Sequence, residues 1–198
     1  MITKSRWPKF MAWKHPVIAQ NCKTVFYLDT SSRPKKGVDF VDMLNELKER
    51  VLKSDIGFAI PKHPRSANII SEFDRILFRK KDIKKNVDAS LAWFKKQDKD
   101  FNKTPMYQNQ YFMYDPTSKN WQKLTEYFWS RYSMEEDSWR DQPLLSYCLH
   151  YFKFVPLSLK PNLLRFSRAD SGHAGHEYSE KDDGPQNLIS LGKNKASE

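Results

Sequence analysis

The sequence predicts an α/β domain with a mostly parallel sheet flanked by helices, and three observations lead to this fold class. First, short β-prone apolar runs alternate along the chain with longer segments whose apolar residues recur at helical spacing. Second, strands that are separated by helices usually pair in parallel. Third, the chain has 198 residues, of which 39% are hydrophobic and 14% aromatic, which is enough to bury one sizeable core.

Three apolar runs rich in aromatic or β-branched residues are the predicted strands. They are residues 25–28, 56–60 and 111–114. The first run has apolar side chains on both faces, which is typical of a buried and often parallel strand. We also expect a last short strand or turn at residues 155–157.

Five segments with apolar side chains at helical spacing are the predicted helices. Asp39 is the expected N-cap of the first of them, because a carboxylate accepts hydrogen bonds from the free N–H groups of a first turn. Before the first strand, residues 1–22 predict a short helix or an irregular entry. The predicted helices are residues 39–53, 66–77, 87–96, 121–132 and 139–152.

The composition divides the chain into a domain and a tail. Residues 1–168 hold the predicted strands and helices, whereas residues 169–198 are rich in Gly, Ser, Asp and Lys and are expected to be a disordered tail. The net charge is +10, and because the tail is acidic the first 168 residues carry +13. Such a basic domain predicts a polyanionic partner, namely a nucleic acid, an anionic membrane or the phosphates of a nucleotide. The alternative is a solvated surface with many lysines.

Other classes of protein are excluded by what the sequence lacks. No apolar run approaches the ~20 residues of a membrane span, and the N-terminus has no apolar leader, so we expect a cytoplasmic protein without a membrane span. Its two cysteines, Cys22 and Cys148, form neither a zinc motif nor a disulfide framework. The chain also has no Gly-x-Ser-x-Gly motif and no glycine-rich phosphate loop.

The first candidate site follows the first predicted strand. Asp29 lies where that strand ends, and ligands of open α/β sheets bind at this edge. Ser31 places a hydroxyl two residues further on, and this pair of oxygen groups suits a hard divalent cation that also holds phosphate oxygens. The alternative is that Asp29 is a turn residue or a helix cap.

The second candidate site is Arg140, Asp141 and Gln142, at the start of the last predicted helix. A carboxylate there either caps the first turn or faces a cleft, where it accepts a proton from a hydroxyl nucleophile. In the functional interpretation, Arg140 and Gln142 orient a substrate or a phosphate.

The third candidate site lies between the second strand and the following helix and contains His63 and Arg65, with Glu72 downstream. An arginine at this position can hold a phosphate with two hydrogen bonds. His63 can bind a metal or a sugar hydroxyl. The alternative is an ordinary surface loop in front of a helix.

The order of these candidate sites along the chain, with the strands and helices beside them, resembles that of glycosyltransferases of the GT-A type. It is most similar to the glycosyltransferase-like family of plant cell-wall, pectin- and mucilage-related enzymes with bacterial and viral relatives. The similarity covers about residues 5–155, and its most specific piece is Arg-Asp-Gln before an apolar helix. His63 and Arg65 lie one residue closer together than in the family pattern. The matching residues are Arg6, Lys9, Asp29, Ser31, His63, Arg65, Glu72, Phe128, Trp129, Arg140, Asp141 and Gln142.

The resemblance implies a function and a set of roles. It implies a Rossmann-like GT-A sheet that lacks its first strands, because the family has further strands before the region of Arg6 and Lys9. It implies transfer of a sugar from a nucleotide-diphosphate sugar to a hydroxyl acceptor on a glycan or glycoprotein, with Mn²⁺ or Mg²⁺ as cofactor. Asp29 would be the metal-site acid, and Asp141 the base or acceptor-site acid. Arg6, Lys9 and Arg65 would neutralise the diphosphate.

Two other functions remain open from the sequence. A nucleic-acid-binding module would use the basic domain and its many aromatic residues, although no known nucleic-acid motif is present and nucleic acid is the less favoured partner. An inactive partner subunit would keep the fold without the chemistry. The first alternative predicts binding that falls steeply with salt, and the second predicts a companion chain.

Overall fold

The computed structural model describes residues 2–30, 32–134, 138, 140–159 and 164–166. The helices within these residues are α1 (Ile2–Met11), α2 (Pro16–Asn21), α3 (Phe40–Leu52), α4 (Ile69–Phe78), α5 (Lys84–Gln97), α6 (Lys119–Tyr132) and α7 (Asp141–Tyr151). The strands are β1 (Val25–Leu28), β2 (Ser32–Pro34), β3 (Phe58–Ala59), β4 (Tyr111–Tyr114) and β5 (Leu164–Phe166). The expected boundary between domain and tail at residue 168 lies outside the described residues.

The predicted α/β class is confirmed, but the described ladders do not show a mostly parallel sheet. The main sheet has the order β1-β4-β3, and β4 pairs antiparallel with both neighbours. Strand β4 lies between β1 and β3, which therefore run in the same direction without touching. The apolar runs predicted the positions of β1, β3 and β4, but their alternation with helices could not predict that a later strand inserts between two earlier ones. Among the described residues, one isolated parallel bridge joins Ala59 to Leu157, where a short strand or turn was expected.

The structure also contains a small two-stranded ladder that the sequence did not predict. Strand β2 pairs antiparallel with β5, with Arg33 opposite Arg165. Each of these strands has only three residues, so neither shows the alternation of apolar and polar side chains from which a strand is predicted. This ladder places residues 164–166 beside the segment that follows Asp29.

The helix starts follow local capping chemistry. Asp39 caps α3 as predicted, because its carboxylate accepts hydrogen bonds from the N–H groups of Val41 and Asp42. Helix α4 begins at Ile69 and not at Ser66, since Asn68 forms a reciprocal capping box with Ser71. The residues before β1, expected to be a short helix or an irregular entry, form α1, a 3₁₀ turn and α2.

The core lies on both faces of the sheet, with β4 between its two halves. Phe112 and Tyr114 point into the larger cluster, and Tyr111 and Met113 point into the smaller one under α3. Phe10 of α1 is fully buried, with its ring 5.7 Å from that of Phe112. This packing holds α1 against the sheet and fixes the position of its charged neighbours.

No helix among the described residues combines the length and the apolar character that crossing a membrane requires.

Candidate functional site

The candidate site is built around Asp141, the first residue of α7. Its side chain is only 6% exposed, and it forms ion pairs with two cations of α1. Lys9 Nζ lies 3.2 Å from Asp141 Oδ2, and Arg6 Nε lies 3.3 Å from the same oxygen. Residues three apart in a helix share a face, so both cations of α1 point toward α7. The predicted candidates Arg6, Lys9 and Asp141 therefore meet in one cluster.

Asp29 joins the same cluster from the end of β1. Its backbone N–H donates to the carbonyl of Gln110 at 2.8 Å, which extends the β1–β4 pairing by one residue. Its Oδ1 accepts a 2.6 Å hydrogen bond from the Tyr27 hydroxyl and lies 3.6 Å from Lys9 Nζ. Lys9 is 3% exposed and contacts both carboxylates, so it links Asp29 to Asp141. We call Arg6, Lys9, Asp29 and Asp141 the ion-pair cluster.

Electrostatics keep the carboxylate of Asp141 charged. Burial raises its pKa, but the positive charges of Lys9, Arg6 and Arg140 outweigh burial and leave the pKa below its ordinary value. For Arg6, burial lowers the pKa, while Asp141 and the Tyr132 side chain raise it, and the net pKa lies above its ordinary value. An ionised carboxylate held by two cations is a weak proton acceptor. Asp141 is therefore first a residue that positions Arg6 and Lys9, and its predicted role as base stays a prediction.

A second polar group surrounds Glu72 on α4, which is 8% exposed. Its Oε2 accepts a 2.6 Å hydrogen bond from the Ser66 hydroxyl and lies 3.7 Å from His63 Nε2. Its Oε1 accepts a hydrogen bond from Gln142 Nε2 at 3.4 Å. Because Gln142 follows Asp141 in the chain, the first turn of α7 joins this group to the ion-pair cluster.

His63 is held as a neutral ring. Its Nδ1 accepts hydrogen bonds from the backbone N–H groups of Arg65 and Ser66, at 3.2 and 2.7 Å. A neutral ring with an accepting Nδ1 carries its proton on Nε2, the atom that faces Glu72. Burial, followed by the charges of Arg75 and Arg65, lowers the pKa of His63 to about 4. In this arrangement His63 shapes the loop before α4, and its predicted contact with a metal or sugar stays a prediction.

The remaining predicted residues lie at the edge of these groups or outside the described part of the chain. Arg140 is half-buried, and its charge acts on Asp141. Arg65 is exposed. Ser31, the second residue of the predicted metal site, lies outside the described residues.

Sequence reasoning missed two tyrosines of the site. Tyr27 donates its hydrogen bond to Asp29, and burial, with Asp29 adding to it, raises the pKa of its hydroxyl above the ordinary value. Burial, and then the charge of Asp141, raises the pKa of Tyr132 to about 12, while its hydrogen bond with Arg6 acts in the opposite direction. Tyr27 had a signal in the sequence, since residues two apart on an extended segment share a face. Tyr132 had none beyond its place in the aromatic helix.

The charge balance of the described residues does not fit a resident divalent cation at Asp29. Two cations already balance the two carboxylates, and no group of three His, Cys, Asp or Glu in the described ranges is arranged to hold a metal. A metal on Asp29 would also face Lys9 Nζ, which lies 3.6 Å from Oδ1. Two unit charges of like sign 4 Å apart repel by about 4 kcal/mol at an effective dielectric of 20, and a divalent ion doubles this repulsion. The predicted Mn²⁺ or Mg²⁺ stays a prediction, and the charges around Asp29 do not favour it.

No protein-family model matches the chain, and neither the curated proteins nor the solved structures searched give a significant match.

Replacement of Asp141 by Asn tests the importance of the ion-pair cluster for folding. Asp141→Asn removes the carboxylate that pairs with the buried Lys9 and with Arg6, and loss of one partner of a buried pair costs about 3 kcal/mol or more. Urea unfolding followed by circular dichroism measures this change. The matched control is Glu126→Gln, which removes the exposed pair with Lys14 and should cost less than about 1 kcal/mol. Equal small losses in both variants would contradict the interpretation.

The neutral state of His63 predicts a pH dependence of stability. Its folded pKa of about 4 lies below its usual value near 6.5, so its contribution is fully present above pH 6.5 and is lost as pH falls toward 4. Between pH 8 and pH 5 the wild type should lose about 2 kcal/mol more unfolding free energy than His63→Asn. Urea titrations at the two pH values measure this difference. Parallel losses in wild type and variant would show that His63 is not held neutral.

Proposed function

We propose that the chain is a glycosyltransferase that moves a sugar from a nucleotide-diphosphate sugar to a hydroxyl acceptor on a glycan or glycoprotein. The observation that carries the proposal is the meeting of Arg6, Lys9, Asp29 and Asp141, which lie up to 135 positions apart in the sequence. All four residues belong to the set on which the resemblance rests. Their meeting supports a shared site, and the identity of the reaction comes from the resemblance.

The charges of the cluster suit the donor of such a reaction. The bond between the anomeric carbon and the diphosphate oxygen breaks, and its electron pair leaves with the diphosphate. Fixed positive charge near that oxygen lowers the barrier, because the charge needs no reorganisation when the bond breaks. Arg6 is the cation of the cluster that solvent reaches, since its side chain is 29% exposed. We assign it to the diphosphate.

The acceptor needs a group that takes its proton. As the acceptor oxygen bonds to the anomeric carbon, its proton passes to a carboxylate within about 3 Å. Asp141 is the base that the resemblance implies, and Asp29 is the more accessible carboxylate, with 27% of its side chain exposed against 6% for Asp141. The GT-A fold and the cytoplasmic location belong to this proposal. The site depends on the β1-β4-β3 sheet, because this sheet holds Asp29 at the end of β1.

A thermal-shift screen of the full chain against UDP- and GDP-sugars tests the proposal. A donor at 100 times its Kd adds about 2.7 kcal/mol of stability, which raises the Tm of a chain of this size by about 5–10 °C. We expect one donor to produce this shift and Arg6→Gln to lose it, each measured against the ligand-free Tm of the same variant. Arg50→Gln removes a surface arginine of α3 and should keep the shift.

Two results would contradict the proposal. If none of the UDP- or GDP-sugars raises the Tm, the chain does not bind such a donor. A shift that persists in Arg6→Gln would place the donor away from the ion-pair cluster. Binding of single-stranded nucleic acid that weakens steeply between 50 and 200 mM salt, together with a flat screen, would favour the nucleic-acid alternative.

A further inference from the structure

Lys9 occupies an unusual position for a lysine. Its ammonium group lies 3.2 Å from Asp141 Oδ2 and 3.6 Å from Asp29 Oδ1, and the residue is 3% exposed. The group also lies over the rings of Tyr27 and Phe10, at 4.9 and 5.4 Å from their centroids. Carboxylates on two sides and aromatic faces nearby are the surroundings of a bound cation. The protein supplies this cation from its own chain.

This ammonium group lies beside Asp29, the carboxylate that is the predicted metal ligand. The resemblance implies Mn²⁺ or Mg²⁺ on Asp29, where the metal would neutralise both the carboxylate and the diphosphate of the donor. Asp29 Oδ1 already accepts a 2.6 Å hydrogen bond from the Tyr27 hydroxyl and lies within ion-pair distance of Lys9. Asp141 is likewise paired, with Arg6 and with Lys9. Both carboxylates of the cluster are therefore neutralised before any ligand arrives.

We propose that Lys9 is the resident cation of this site and takes the place of the divalent metal, so that the nucleotide diphosphate binds without Mn²⁺ or Mg²⁺. Lys9 neutralises Asp29 and Asp141 from within the protein, and the partly exposed Arg6 faces the diphosphate. Lys9 is thus a positioning residue, since its ammonium group acts through the two carboxylates. This inference rests on the proposed function and makes the binding of its donor independent of metal.

Isothermal titration of the full chain with UDP and with GDP, in EDTA and in Mn²⁺, tests the inference. For the wild type we expect one nucleotide to bind with a Kd that differs by less than twofold between the two conditions. Lys9→Met removes the charge and keeps most of the side-chain volume. We expect Lys9→Met to bind at least tenfold more weakly in EDTA, because Asp29 and Asp141 then lack their internal cation. In Mn²⁺ this variant should regain much of the affinity, because the metal ion can replace the lost charge.

The matched control is Lys14→Met. Lys14 pairs with Glu126 at 2.8 Å and lies over the ring of Trp13, so the substitution removes the same kinds of contact away from the cluster. It should bind like the wild type in both conditions. Circular dichroism checks that each variant is folded. If Lys9→Met does not fold, Lys9→Arg, which keeps the charge, should retain binding in EDTA.

The outcomes separate this inference from the proposed function. Wild-type binding that requires Mn²⁺ would overturn the inference and leave the glycosyltransferase proposal intact. Equal affinities for Lys9→Met and Lys14→Met in EDTA would also overturn it, as would loss of binding by a folded Lys9→Arg. Failure of the wild type to bind UDP or GDP in either condition would overturn the proposed function and this inference with it.

Discussion

The ion pairs of Asp141 with Lys9 and Arg6 are the constraint on which the arrangement of the site depends. Charges at such low exposure are costly unless they are paired, so the start of α7 and the charged face of α1 have to lie together. Lys9 extends the constraint to Asp29 and hence to the edge of the sheet. The packing of Phe10 between β4 and α6 supports the same placement from the apolar side. One set of ion pairs thus holds together α1, the end of β1 and the start of α7.

The first turn of α7 also connects the ion-pair cluster to the polar group around Glu72 on α4. Asp141 forms ion pairs with two cations of α1, while Gln142 donates a hydrogen bond to Glu72. Glu72 also accepts a hydrogen bond from the Ser66 hydroxyl. A helix start that faces two polar groups is expected to be rigid, because each side chain is held by partners on other elements. Rigid placement of charge is what a site for a diphosphate leaving group requires. The cluster is thus suited to the proposed function without a resident metal.

Much of the local structure could be predicted from the sequence, and the tertiary part could not. Strands β1 and β4 and the Asp39 cap follow from apolar runs and capping chemistry, which act over a few residues. The insertion of β4 between β1 and β3 depends on packing across the whole chain, so alternation along the sequence could not reveal it. The resemblance selected the charged residues that meet, but their pairing could not be predicted. Lys9 joins Asp29 to Asp141 through two ion pairs, and no local pattern in the sequence predicts this link.

A double-mutant cycle between Lys9 and Asp141 tests the central claim most directly. The unfolding free energies of the wild type, Lys9→Met, Asp141→Asn and the double variant give the coupling energy of the pair, independent of any ligand. The account predicts a coupling of at least about 1.5 kcal/mol, with the double variant more stable than the sum of the single losses implies. Losses that add to within about 0.5 kcal/mol would show that the two residues do not hold α1 and α7 together, and would contradict the account.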